Sequence, residues 1–277
     1  ISLNQSVVDF GIMETGHKVK VAKQYLLHKL NAKSSKGHGI HSPFVYRFAR
    51  EVIHENETDH NVKAIEAFRD DLQKSKLLVG ASTHGARATR GTKILTLGEL
   101  ARTSSVNSKH GAFLYRLAKW LDAKSVLELG TSIGISTLYL SKACPWAKII
   151  TLEGDKQRIS HAKKTFETME CNNIELMEGD FEHSLLKLAG EGLTFDLIFF
   201  DGNHKSEPTL RYFKLCNKMR HENSVFVFDD IRWSREMFKT WQIVSEHKSV
   251  SLSLDLFNFG ILLFKPGMSK QHFTINL

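Results

Sequence analysis

Apolar positions in the first part of the chain recur at helical spacing. Val21, Tyr25, Leu26 and Leu30 fall close together on a helix expected over 19–30. His41-Ser42-Pro43 reads as a helix start with proline at an early position, followed by the apolar Phe44, Val45, Phe48 and Val52. A charged amphipathic helix is expected over 61–78. Another is expected over 109–121, with Phe113, Leu114, Leu117, Trp120 and Leu121 on one side. The Ser/Lys/Gly-rich segment 32–39 and the small, basic segment 81–91 read as loops.

After Ala123 the pattern changes. Short β-rich runs at 125–129, 148–152, 174–177, 196–200 and 225–228 alternate with helical stretches at 136–142, 156–169, 181–189 and 207–219. This alternation predicts an α/β domain with a parallel sheet covered on both faces. The end differs. Runs at 250–256 and 260–264 are about three residues apart, too close for a crossover helix, so they are expected to pair antiparallel. Trp233, Phe238 and Trp241 follow the fifth strand at roughly helical spacing and read as packing residues before they read as a ligand cage.

Composition adds limits. The 277 residues are 42% apolar and 25% charged, enough to bury a core, which excludes a disordered chain, a collagen and a disulfide scaffold. Cys144, Cys171 and Cys216 have no CxxC spacing and are expected to be reduced thiols of a cytoplasmic protein. No apolar run reaches the length of a membrane span and no signal-peptide core is read near Ile1, so no membrane partner is expected. The net charge is +8, and +7 of it falls within residues 1–110. Between Lys18 and Arg50 stand Lys20, Lys23, Lys29, Lys33, Lys36 and Arg47, with no acid among them. Such a block either attracts phosphates or is a solvated helix face. His38, His41, His54 and His60 lack the spacing of a zinc site. The run from Gly37 to Phe44 has the texture of a functional loop and could cap a pocket.

The chemistry concentrates at 126–137, Val-Leu-Glu-Leu-Gly-Thr-Ser-Ile-Gly-Ile-Ser-Thr, a strand, a glycine turn and a helix start. Gly130 lets the chain leave the strand tightly and Gly134 lets the loop approach a ligand. The exposed N–H groups and the hydroxyls of Thr131, Ser132 and Ser136 can hold an anionic group at the helix N-terminus. The spacing is Gly-x-x-x-Gly, not the dinucleotide Gly-x-Gly-x-x-Gly, and by itself it also marks an ordinary tight turn. Glu153 closes the second strand, where an acid can accept ribose hydroxyls. At the end of the third strand, Asp180 could accept an adenine amino group, with Phe181 beside the ring.

With these residues in view, 109–265 resembles a class I S-adenosylmethionine-dependent methyltransferase, and within that superfamily the catechol and caffeoyl-CoA type O-methyltransferases. The motifs that carry it are the run 128–137 beginning at Glu128, then Glu153, Gly179-Asp180, and Phe195-Asp196-Leu197-Ile198-Phe199-Phe200-Asp201. The resemblance implies a Rossmann-like seven-stranded sheet of order 3-2-1-4-5-7-6 with strand 7 antiparallel. It divides the chain into a helical, basic extension at 1–108 and an S-adenosylmethionine-binding domain at 109–277. It implies that Glu128, Gly130, Thr131, Ser132, Gly134 and Ser136 serve the methionine part of the cofactor, Glu153 the ribose, and Asp180 and Phe181 the adenine.

Methyl transfer to oxygen needs alignment and an acceptor that gives up its proton. Strand 4 ends in Asp201-Gly202-Asn203-His204-Lys205 and strand 5 in Asp229-Asp230. These strands are neighbours in the implied order, so three carboxylates are expected to converge. In the catechol type the positions of Asp201, Asp229 and Asp230 bind a divalent cation such as Mg²⁺, whereas metal-free relatives use an acid at the Asp201 position only to orient the cofactor. The family usually has Asn in place of Asp230 and a catalytic Lys in place of His204. Histidine is a credible base near neutral pH, with Lys205 as the neighbouring alternative. The expected partner is a small hydroxylated acceptor. An RNA methyltransferase using the 18–50 block and a non-catalytic S-adenosylmethionine-binding protein are the alternatives, and a homodimer is left open.

Overall fold

The computed structural model describes residues 15–33, 41–55, 59–79 and 94–277. The elements, in chain order, begin with α1 (Thr15–Asn31), α2 (Pro43–Phe48), which continues as one wide turn through Ile53, and α3 (His60–Gln73). Next come β1 (Leu78–Val79), β2 (Leu95–Thr96), α4 (Leu97–Thr103), α5 (Ser108–Leu121), β3 (Ser125–Leu129) and α6 (Ile135–Ala143). They are followed by β4 (Lys148–Glu153), α7 (Lys156–Thr168), β5 (Ile174–Glu178), α8 (Phe181–Gly190), β6 (Phe195–Phe200) and α9 (Ser206–Cys216). The last are β7 (Arg220–Phe228), α10 (Arg235–Ser245), β8 (Leu252–Asp255), β9 (Gly260–Leu263) and β10 (Gln271–Thr274).

The main sheet has the order β10-β8-β9-β7-β6-β3-β4-β5. Counted from β3 as the first strand, this is the expected 3-2-1-4-5-7-6 with an eighth strand added beside β8. β9 runs antiparallel to both β7 and β8, as the short hairpin connection requires. β10 is the addition that the sequence reading lacks: it pairs parallel with β8, Gln271 opposite Leu252 through Thr274 opposite Asp255. Its four residues are partly exposed and carry no apolar alternation. β7 also starts five residues earlier than expected, because Arg220 pairs with Phe195 before a register shift restores Leu197 opposite Val225.

Alternate residues of each central strand feed two cores. Val126, Ile149, Leu197, Phe199, Val225 and Val227 face α5, α6 and α7. Leu127, Leu129, Ile150, Ile198, Phe200, Phe226 and Phe228 face α8, α9 and α10. The first core also takes in Val45, Phe48, Val62, Ile65, Leu97 and Leu100, so α2, α3 and α4 pack on the same apolar body as α5. Local chemistry starts these helices: the start of α2 is the one read from the sequence, and α4 is an addition to it. Ser42 Oγ accepts Val45 N–H with Pro43 at the first helical position. Thr96 and Glu99 close a reciprocal capping box on α4. Glu66 of α3 is bonded by the hydroxyls of Ser108 and Tyr139, tying that helix to α5 and α6.

In the basic block, Lys23, Lys29, Lys33, Arg47 and Arg50 are exposed on or just after α1 and along α2. Arg47 pairs with Glu51 and Arg50 donates to the Tyr46 hydroxyl. Residues 37–40 of the 37–44 loop and the whole of 81–91 lie outside the described residues. Cys144, Cys171 and Cys216 are free thiols, and burial pushes Cys144 up to about 11, which keeps it an inert thiol at neutral pH. No helix among the described residues is long and apolar enough to cross a membrane.

Candidate active site

The residues assigned to the cofactor and the acceptor lie at the C-terminal ends of the parallel strands or in the turns and helix starts that follow them. The strand ends stand abreast because the ladder runs to its last rung: Gly130 N–H donates to Leu152 O at 3.0 Å, Asp201 N–H to Leu129 O at 2.9 Å, and Asp229 N–H to Phe200 O at 2.9 Å. A crevice at this edge, where the crossovers change direction, is where open α/β sheets bind ligands.

The β3–α6 turn is built on two glycines. Gly130 has φ +109° and Gly134 has φ +89°, both left-handed. A Cβ on Gly134 would press on the Phe166 ring at 2.5 Å, and one on Gly130 would collide with the backbone of Asp201. Ser132 also has positive φ, at +49°, which turns its N–H onto Glu153 Oε2 at 2.8 Å. Glu153 Oε1 accepts the N–H groups of Gly154 at 2.9 Å and Asp155 at 3.0 Å. Three of a carboxylate's roughly four acceptor positions are thus filled by backbone, leaving about one for a ligand hydroxyl rather than two.

Glu128 is fully buried beneath this turn. Its Oε2 accepts the hydroxyls of Thr137 at 2.5 Å and Thr151 at 2.6 Å, and Thr151 in turn meets Thr131 Oγ1 at 2.6 Å. Burial raises the Glu128 carboxyl above its ordinary range, against the lowering effect of the Ser136, Thr137 and Thr151 hydroxyls. Glu128 Oε1 and Ser132 Oγ are buried with no protein partner. Orphaned polar atoms on both sides of a glycine turn call for a ligand carrying hydrogen-bonding groups. The amino and carboxylate ends of an amino-acid-like cofactor fit that need.

Asp180 is the N-cap of α8. Its Oδ1 accepts Glu182 N–H at 2.9 Å and His183 N–H at 3.1 Å, so capping is its first task. Phe181 packs against Gly202, where a Cβ would strike its ring, and edge-on to Tyr212 at 5.7 Å.

The acids after β6 and β7 do converge. Asp201 is enclosed by protein yet keeps 19% of its side-chain surface, the signature of a group at the floor of a cleft. Burial, then the charges of Asp229 and Asp230, push its carboxyl well above the ordinary range. Burial and Asp230 do the same to Asp229. Asp229 Oδ1 is turned back to accept Asp230 N–H at 2.7 Å. His204 Nε2 stands 3.7 Å from Asp201 Oδ1 and 4.0 Å from Asp230 Oδ2. Asn203, His204 and Asp230 all have positive φ, at 68°, 35° and 52°, a cluster of strained backbone typical of a functional site.

Asp201, Asp229 and Asp230, the residues expected to hold a divalent cation, meet at this edge with their oxygens turned to separate partners. Among the described residues no three His, Cys, Asp or Glu side chains are gathered so that they could hold one ion. Asp229 Oδ1 is engaged with the backbone, and the His204 imidazole lies within ion-pair reach of Asp201 and Asp230.

Several residues that the sequence reading passed over join the site. Thr209, Tyr212 and Met237 line a small cavity with His204 and Asp229. Asn203 Nδ2 donates to the Tyr212 hydroxyl at 3.3 Å. The Trp233 ring lies 5.7 Å from the His204 ring, tilted by 34°. Trp233 belongs to neither core, although Phe238 and Trp241 pack in the second one.

A doubly wound parallel sheet with this strand order, a glycine turn after its first strand and an acid after its second defines the class of Rossmann-like methyltransferases. Within that class, residues 90–258 match the O-methyltransferase family profile, and the chain belongs to that family. A catechol O-methyltransferase of Niastella koreensis is 32% identical over 130 residues, 46% of this chain and 58% of that protein. A catechol O-methyltransferase of Mycobacterium tuberculosis is 28% identical over 173 residues, 62% of this chain and 73% of that protein. The match thus spans less than two thirds of the first relative's length. Among solved structures, an O-methyltransferase from Bacillus cereus in complex with SAH superimposes with a TM-score of 0.54 at 19% identity, over 80% of this chain and 96% of that one, and so shares the fold.

Proposed function

We propose that the protein transfers the methyl group of S-adenosylmethionine to a hydroxyl oxygen of a small acceptor, with residues 109–277 as the catalytic unit and 1–108 as an extension. The observation that carries this reading is the pairing of two features at one sheet edge: the orphaned Glu128 Oε1 and Ser132 Oγ beside the glycine turn, and the His204–Asp201 pair one strand away. The first suits the amino-acid end of the cofactor, with Gly130, Thr131, Gly134 and Ser136 shaping its seat. Glu153 suits the ribose, and Asp180 and Phe181 the adenine.

The cofactor supplies an electrophilic methyl on a sulfonium. The chain's own residues supply the rest. His204 takes the acceptor proton on its imidazole, and Asp201 and Asp230 stand within ion-pair range of the cation that forms. The acceptor oxygen bonds the methyl carbon while the carbon–sulfur bond breaks towards sulfur, leaving S-adenosylhomocysteine. Asp201 sits where an acid can orient the sulfonium end.

Two measurements test this. Calorimetry with S-adenosylhomocysteine is expected to show binding that Glu153→Ala weakens by roughly tenfold or more, since a charge-assisted hydrogen bond is worth about 1.5–3 kcal/mol. Equal affinity in wild type and variant would remove Glu153 from the ribose site, and no binding to wild type would remove the cofactor. With catechol as the probe acceptor, His204→Ala is expected to lower turnover most at neutral pH and recover partly at higher pH, where the acceptor ionises unaided. Wild-type rates across the pH range would return the base role to Lys205 or solvent.

A further inference from the structure

The turn that carries Asp229 and Asp230 is held from one side by a single buried cation. Arg232 gives one guanidinium nitrogen to each carboxylate oxygen of Asp255, both at 2.7 Å, and donates from Nη1 to Phe257 O at 2.8 Å. The pair is nearly closed to solvent, with side-chain exposures of 10% for Arg232 and 6% for Asp255. The guanidinium carbon lies over two rings, 4.6 Å from the centroid of Phe238 and 4.9 Å from that of Phe257. A planar fork bonded along its edge to a carboxylate and a carbonyl, with two rings against it, is held in one orientation.

Asp255 and Phe257 belong to the β8–β9 hairpin, which is fixed from beyond the family-matched span. Phe257 has φ +74°, a conformation that a large side chain adopts only under constraint, and its N–H donates to Asp255 Oδ1 at 2.9 Å. From α1, Tyr25 packs edge-on to the Phe257 ring at 4.9 Å and His28 at 5.3 Å. His28 Nε2 donates to Ile275 O at 3.3 Å, and its Nδ1 is 3.6 Å from Asp255 Oδ1. Lys33 N–H donates to Thr274 O at 2.7 Å, so the end of α1 is stitched to β10. The hairpin also grips the turn directly, because Ile231 N–H donates to Asn258 O at 3.1 Å. On the other side of Arg232, Trp233 N–H donates to Asp230 O at 2.8 Å.

We propose that Arg232 is the positioning residue of the Asp229–Asp230 turn, and that α1 and β10 keep it seated through Asp255. The helix and the eighth strand both lie outside residues 90–258. They therefore form, from outside the family-matched span, a clasp on the Asp229–Asp230 side of the cleft. This rests on the proposed function for its consequence in turnover, but its geometric part stands without it.

The test uses the full chain labelled with 5-fluorotryptophan. The four tryptophans are Trp120, Trp146, Trp233 and Trp241, and Trp233→Phe assigns the resonance of interest. In Arg232→Lys, which keeps the charge but loses the fork, the Trp233 fluorine resonance is expected to shift or broaden while those of Trp120 and Trp146 stay. Asp255→Asn carries the same test should Arg232→Lys fail to fold, and His28→Ala tests the remote arm from α1. S-adenosylhomocysteine affinity is expected to remain within about threefold, and kcat with catechol to fall about tenfold or more at nearly constant KM for the cofactor, since small misplacements of a reacting group cost up to about a hundredfold. An unmoved Trp233 resonance in both Arg232→Lys and Asp255→Asn overturns the proposal. A moved resonance with equal loss of S-adenosylhomocysteine binding also overturns it, because the effect would then be general. Absence of S-adenosylhomocysteine binding in the wild type sinks the methyltransferase reading and leaves the fluorine result to judge the clasp.

Discussion

Gly130→Ala is expected to abolish measurable S-adenosylhomocysteine binding and to lower the melting temperature by about 10 °C. Two costs combine. The φ of +109° is open to glycine and strained for alanine, at about 1–3 kcal/mol. The new Cβ would also collide with the carbonyl of Asp201, which is backbone fixed in the β3–β6 ladder and cannot rotate away. Overpacking of that kind costs about 1–3 kcal/mol more. At about 2–4 °C per kcal/mol for a domain near this size, a change of that order follows. Binding suffers separately, because relief of the collision pushes Asp201 and the turn apart and spreads the groups around Glu128. A variant that melts within about 2 °C of wild type and binds normally would show that the strand ends are not packed as tightly as described.

Asp201→Asn is expected to lose turnover with catechol by about a hundredfold or more while gaining stability at neutral and alkaline pH. The loss follows from removing the carboxylate that faces the His204 imidazole. The gain follows from linkage. Asp201 has its folded pKa raised above the unfolded value, by burial first and by Asp229 and Asp230 next. A group shifted that way contributes stability that is complete below the unfolded pKa and is lost as pH rises through the folded one. The wild type therefore loses stability from weakly acid pH upward, and the asparagine variant loses less. Melting curves from pH 5 to pH 8.5 check both sign and direction: the difference between variant and wild type should widen with pH. A variant that is uniformly less stable would mean that Asp201 is a structural acid. Sites of this kind keep repulsion that the fold would otherwise discard, because the chemistry needs it.

The central strands were legible because their signal is local. Runs such as Phe195–Phe200 are apolar on both faces, and only a doubly covered strand wants that. The glycine turn was legible for the same reason, since positive φ at Gly130 and Gly134 leaves a mark in residue type. The reading fell short where tertiary partners decide. β10 is four residues of mixed polarity whose only claim to be a strand is the free edge of β8. Glu153 was expected to accept the hydroxyls of a ribose, and nothing in its neighbourhood along the chain announces that Ser132 N–H will take one of its acceptor positions. Arg232 and Asp255 are 23 positions apart with no motif around either, so their pairing is invisible until the hairpin folds.

The stitched edge of the sheet has a consequence for handling the protein. β8 would be a terminal strand but for β10, and its open row of N–H and C=O groups would face outward next to the apolar Leu252 and Leu254. Bare edges of that composition recruit other chains. Trimming the chain after Phe264 would remove the cover while leaving β8 paired with β9, and the product is expected to self-associate. What resembles an appendage in the chain is, on this account, the selvedge that keeps the sheet from pairing with its neighbours.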